Sequence, residues 1–382
     1  MRSLDSDPDA VDRDLAWIKQ ELQTAIALEA GTLPPYLAAL FSLEVQNYTA
    51  YNLIRSVVME EMVHMAIASN TLAALGGIPQ IKNLELTYPM HGLPGGAEPD
   101  LHIGLAQLSR AQLEHFMRIE RPAFLLSQLY ADETYPTIGM LYERIQEAIR
   151  DNAAPVRDAV QTGGPSNQVG DNIGFTTIAP TLGVDPVDQL VAGIDLIVEQ
   201  GEGASCESLF AGERSEDEES HYARFAELYY GAKYDDPPSG IELTPTTEPE
   251  FFKGRPVPWP KVINTLAVPS DAYARVLELD PNAATVTLDL DAFDTAYSEI
   301  LTELDAVWNG PADASWKTLG GAVRSMVSMR VLSCFNIMRH QVPSDVVARI
   351  PDLYPDESEY LAAYTDLDKP VFYGPRFRNT NI

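Results

Sequence analysis

Residues 60–70 read EEMVHMAIASN. The stretch lies inside an apolar pattern that predicts a helix from about Ile54 to Leu75, stopped by Gly76-Gly77 with Pro79 just beyond. On that helix Ile54, Val57, Glu61, His64, Ala68, Leu72 and Leu75 share one stripe. A carboxylate and an imidazole therefore occupy positions where packing asks for aliphatic side chains. The rest of the chain has to explain the pair.

The same intrusion recurs elsewhere. LAWIKQELQTAIALEAG, beginning at Leu15, carries Ile18, Leu22 and Ala25 on its stripe, and Glu29 comes next. This helix is expected to bend or break at Gly31 and Pro34-Pro35, because proline removes a backbone donor. From Ser109, SRAQLEHFMRIERPAF aligns Leu113, Phe116, Met117 and Phe124, with Glu120 inside the stripe. In SEDEESHYARFAELYYG, one face carries Glu218, His221, Tyr222, Phe225 and Tyr229.

In chain order the polar intruders are Glu29, Glu61-x-x-His64, Glu120 and Glu218-x-x-His221. Residues three apart on a helix lie about one turn apart on one face, so each Glu–His pair can aim an oxygen and a nitrogen at a common point. Four carboxylates buried together repel one another and resist desolvation. Two metal cations remove that cost, and this ligand order is that of carboxylate-bridged di-iron and di-manganese sites in four-helix bundles. Oxygen and imidazole donors suit iron, two ions of it, or manganese. Glu143 and Glu199 rival Glu120 as third carboxylate. Helical phase favours Glu120, which lies between Met117 and Phe124, over Glu143, which lies opposite Ile138 and Ile145. Glu60 and Glu219 are one residue off the stripe, and solvent or support of the ligands is expected for them. Tyr36, Tyr222 and Phe225 read as packing residues near the site. His91, His102, His115 and His340 read as surface positions.

Composition narrows the function. The 382-residue chain has 56 acidic and 26 basic residues, a formal charge of -30 that repels phosphate backbones and anionic lipids. Expected partners are a small-molecule substrate and, for self-association, other copies of the chain, but neither nucleic acid nor membrane. No run of about 18 apolar residues suggests a membrane span. The acidic start MRSLDSDPDAVDRD has no apolar core of a secretory signal, so a cytoplasmic protein is expected. Cys206 and Cys334 form no CxxC pair. Phosphate-binding and nucleophile-elbow motifs are missing.

Further helical patterns cover about 138–149, 187–201, 293–307 and 315–340, and TVTLDL at 285–290 alternates like a short strand. Residues 82–100 read as a long connection and 237–260, rich in proline, as an extended connector. The expected fold is mainly α: a four-helix bundle with long insertions over residues 12–232, a connector at 233–262, and a helical C-terminal region at 263–382 packed on the bundle.

The segments LEAGTLPPYLAALFS, EEMVHMAIASNTLAALGGIP, FMRIERP, IDLIVEQGEG and EESHYARF together resemble the ferritin-like domain family typified by iminophenyl-pyruvate dimer synthases. The resemblance spans residues 12–232, and residues 288–340 are similar to the region that follows in such proteins. It implies a ferritin-like fold and a metal-centred oxidation. In that family's reaction two tryptophan-derived imino acids are joined oxidatively. A metal-dependent oxidoreductase acting on a small amino-acid-derived substrate is the first expectation. A non-catalytic ferritin-like metal-binding or scaffold protein is the alternative.

Overall fold

Helix α1 runs from Leu15 to Phe41 straight through Pro34 and Pro35, so the expected break does not occur. Pro35 cannot donate to the carbonyl of Gly31, and the hydroxyl of Tyr88 donates to that oxygen instead, at 2.6 Å. The helix starts at Asp14, whose carboxylate accepts from the N–H groups of Ala16 and Trp17. The structure, a computed structural model, describes residues 12–44, 48–122, 125, 137–163, 167–170, 177–179, 183–201, 219–235 and 241–382.

Helix α2, Tyr48–Ala74, lies against α1 and buries its whole expected stripe. It stops where Gly76 takes a left-handed φ of 75°. Among the described residues, five further helices belong to this part of the molecule: α3 (Arg110–Ile119), α4 (Ile138–Asp151), α5 (Ala153–Gly163), α6 (Pro186–Gly201) and α7 (His221–Tyr230). Serine and threonine caps set several of their starts. Ser109, Thr137 and Ser220 each accept from a backbone N–H one turn into α3, α4 and α7. Helix α4 packs on α1 and α6, α6 packs on α2, and α7 packs on α2 and α3. The molecule is mostly helical, as its apolar periodicity predicts. A two-stranded pairing, Met90–His91 with His102–Ile103, borders the irregular stretch expected at 82–100.

TVTLDL is helix, not strand. It lies in α8, Ala283–Asn309, where Val286, Leu290 and Phe293 are buried at helical spacing. Burial on one helical face outweighs the β-propensity of threonine and valine. Helix α9, Ser315–Val331, is shorter than expected. After it the chain widens through a π turn at Leu332–Asn336 and then tightens through a 3-10 turn at Ile337–Arg339. The described part of the proline-rich connector, from residue 241, is packed as well. It carries a 3-10 turn at Glu248–Phe251, buries Phe251 and Phe252, and pairs Val257 with Gly231.

The α8–α9 hairpin lies on the α1–α2 pair, with Tyr297, Leu301, Met326 and Met329 facing Ala30, Leu33, Met62 and Met65. Asn70 fastens the contact: its side-chain carbonyl accepts from Trp308 Nε1 at 2.9 Å and from the N–H of Val169 at 3.0 Å. Asp305 accepts from the N–H groups of Ile81 and Lys82 just beyond α2. Helix α1 is long and apolar enough to cross a membrane, yet 89% of its most apolar window is buried inside the protein. Its apolar character is explained by its place at the centre of the bundle.

Candidate metal centre

Glu29 reaches the bundle interior from α1, Glu61 and His64 from α2, and His221 from the first position of α7. Glu120 arrives differently from the sequence expectation. It is the C-cap of α3 rather than a residue inside its stripe, because the chain leaves the helix ahead of Pro122. Glu218 lies outside the described residues. Ser220 is the N-cap of α7, so His221 opens that helix.

The five described residues converge. Glu29, Glu61 and His64 are each 2% exposed, Glu120 4% and His221 not at all. His64 Nδ1 stands 3.7 Å from Glu29 Oε2 and 3.8 Å from Glu61 Oε1. His221 Nδ1 stands 2.8 Å from the same Glu61 oxygen and 3.4 Å from Glu120 Oε2. Glu61 thus lies between two half-sites, one completed by Glu29 and His64 and the other by Glu120 and His221. The imidazole rings stack with centroids 5.1 Å apart. Among the described residues, Glu61, His64 and His221 form the tightest donor set, with ligand atoms within 4.8 Å of one another.

Each carboxylate is held from outside by one oxygen. The Tyr142 hydroxyl donates to Glu29 Oε1, Thr32 donates to Glu61 Oε2 at 2.7 Å, and Tyr36 donates to Glu120 Oε1 at 2.5 Å. The second oxygen of each faces the histidines. Burial, and then the charges of Glu120 and Glu29 respectively, hold the Tyr36 and Tyr142 hydroxyls well above the usual phenol range, so both remain donors.

The histidines are held in the same manner. His64 Nε2 lies 3.0 Å from Gln200 Oε1, and His221 Nε2 lies 3.0 Å from Glu60 Oε2. An acceptor behind each Nε2 assigns the proton there and leaves the Nδ1 lone pair facing inward. Glu60 is itself gripped by the Arg224 guanidinium at 2.8 and 3.0 Å.

Electrostatics at the centre call for positive charge. Burial, then the neighbouring charges of Glu120 and Glu29, pushes the Glu61 carboxyl up to about 8. Burial works against protonation of the histidines, but Glu29 and Glu120 outweigh it and raise His64 and His221 above the ordinary imidazole value. Buried His221 Nδ1 nonetheless makes no aligned hydrogen bond, although Glu61 is 2.8 Å away. Three carboxylate oxygens and two imidazole nitrogens arranged on either side of Glu61 are a donor set for hard or borderline divalent cations. The residues fit a metal.

The competing ligands separate plainly. Glu143 is exposed and Glu199 half-buried, and neither lines the small cavity bounded by Glu29, Glu61, His64 and Glu120. Of the packing residues, Tyr36 and Phe225 meet near the centre, whereas Tyr222 donates to Glu248 away from it. Glu60 supports His221 as expected of an off-stripe neighbour, and Glu219 pairs with Lys233. Only His91 of the four remaining histidines is exposed. His102 stacks on it, His115 contacts Tyr364 and His340 contacts Asp289, so these three are half-buried, not surface positions.

Sequence reasoning missed Thr32, Tyr142, Gln200 and Arg224. The signal for three of them was present. Thr32 follows Glu29 by three residues, Tyr142 lies between Ile138 and Ile145, and Gln200 follows Ile197 by three. Nothing in the local pattern pairs Arg224 with Glu60.

A family model described as Ferritin-like matches residues 22–230, over half of the chain. A crystal structure of a ferritin-like protein from Caulobacter vibrioides superposes with a TM-score of 0.51 at 20% identity, covering 82% of this chain and 95% of that one. At that identity the likeness concerns the fold. Comparison with curated proteins gives no match. With the helical architecture and the buried Glu–His centre, the matched segment shows that the chain belongs to the ferritin-like family.

Proposed function

We propose that the protein is a metal-dependent oxidoreductase whose centre holds two iron ions, or manganese, and acts on a small amino-acid-derived substrate. One observation carries the reading: Glu61 Oε1 stands between two half-sites, each with its own carboxylate and its own inward Nδ1. Glu29 and Glu120 are the outer carboxylates, Glu61 the shared one, and His64 and His221 the nitrogen donors. Glu218 is the sixth ligand of the expected set. When bound, iron supplies the activation of dioxygen or peroxide that no side chain here provides.

The chain's own residues position and insulate. Thr32, Tyr36 and Tyr142 fix one oxygen of each carboxylate, Gln200 and Glu60 fix the imidazole tautomers, and Ile138, Ile197 and Val198 line the cavity with apolar surface. The motif resemblance to iminophenyl-pyruvate dimer synthases supports oxidation and the amino-acid-derived substrate class. A mononuclear centre is the second reading, favoured by the compact set Glu61, His64 and His221.

The test is anaerobic loading with ferrous iron, followed by exposure to dioxygen under an absorption spectrometer. The reading predicts an optical change in the wild type and its loss, together with the iron, in His64→Ala. Full iron loading of His64→Ala overturns the ligand assignment. Loaded wild type that does not respond to dioxygen overturns the oxidoreductase.

A further inference from the structure

The α8–α9 hairpin has an outer face that no described residue covers. Of the ten large apolar side chains that are exposed among the described residues, five lie on it: Leu288 on α8, Trp316, Val327 and Val331 on α9, and Phe335 in the turn that continues α9. Leu288 and Val327 are 70% and 63% exposed. Trp316, Val327, Val331 and Phe335 fall at helical spacing, with Gly320 and Val323 completing the row. Scattered exposed leucines or valines are ordinary, whereas a row of this kind marks an interaction surface.

Charge on the same face is one-sided in two directions. Helix α9 carries Lys317, Arg324 and Arg330 with no acidic residue, and α8 carries six carboxylates with no basic residue. Lys317 and Arg324 are exposed and enter no ion pair among the described residues, in a chain with 56 acidic and 26 basic residues. Four of the α8 carboxylates are engaged within the molecule: Asp289 by His340, Asp291 and Asp294 by Arg376, and Asp305 by two backbone N–H groups. Glu299 remains exposed, and Glu303 sits at the α8–α9 seam, beside Ser325.

The face is therefore an apolar row with uncompensated cations on one helix and carboxylates on the other, a self-complementary pattern. An anionic lipid surface would fit the cations but meet the α8 carboxylates and the formal charge of -30. A second copy fits both. We propose that this face is the interface of a homodimer, in which a twofold axis sets α9 of each copy against α8 of the other. Lys317 and Arg324 then meet Glu299 and Glu303 of the second copy, and the apolar row is covered. None of these residues lines the metal cage, so dimerisation can be broken with the centre intact.

Sedimentation equilibrium of the full chain at about 1 to 100 µM reads the state directly. The proposal predicts a dimer, at least about tenfold weaker association for Val331→Asp and for Arg324→Glu, and unchanged helical circular dichroism in both. Val184→Asp, exposed elsewhere, leaves the dimer as it is. A wild type that is monomeric throughout overturns the proposal, and one that instead co-sediments with anionic phosphatidylserine vesicles overturns it in favour of a membrane. A dimer indifferent to both hairpin substitutions overturns it as well.

Discussion

Glu60 and Glu61 are neighbours in sequence with different tasks. Glu61 faces the cavity between two imidazoles, while Glu60 looks outward from the centre, accepts from His221 Nε2 and is clasped by Arg224. Glu60→Gln keeps the size of the side chain and an acceptor but removes the charge that fixes the ring and raises its basicity. We predict that this change weakens metal binding by roughly 10- to 100-fold in a chelator competition, with helical content unchanged. Affinity equal to that of wild type would show that Glu60 does not position the ligand. Helical phase was enough to tell these two glutamates apart in the sequence, since one residue turns a side chain by about 100° around the helix.

Helices were legible wherever an apolar stripe ran for several turns, as in α2 and α4, because burial of one face dominates local preference. What was not legible came from distant partners. The continuity of α1 through Pro34 and Pro35 depends on Tyr88 from another part of the chain, and the helical state of TVTLDL on burial against the rest of the C-terminal region. Glu120 illustrates both sides: its inclusion in the site was readable, but its position as a cap was not. Helix α3 and the short strand His102–Ile103 also contribute a pH dependence. Burial, then Arg118, holds His115 below the ordinary imidazole value, and burial, then His91, does the same for His102. A base whose folded value is depressed binds protons better when unfolded, so its contribution is complete above about 6.5 and is lost as the pH falls below it. The difference in melting temperature between His115→Gln and the wild type should therefore shift in favour of the variant as the pH falls from about 7 to about 5. Parallel curves for the two proteins would remove His115 from the explanation.

At the scale of the whole molecule, a chain of strong negative charge encloses a centre that is itself rich in carboxylates. Desolvation and repulsion make that centre costly without protons or a cation, and the bundle surrounds it with three hydroxyls, an amide and a Glu–Arg pair that hold every inward donor in place. Such an arrangement is organised for a metal before it is organised for any substrate. The most direct test is the number of ferrous ions bound per chain at saturation under anaerobic conditions. The account predicts about two tightly bound ions, their loss in His64→Ala, and competition by protons as Glu61 is titrated. Weak, non-saturating iron uptake that is the same in wild type and His64→Ala would contradict it.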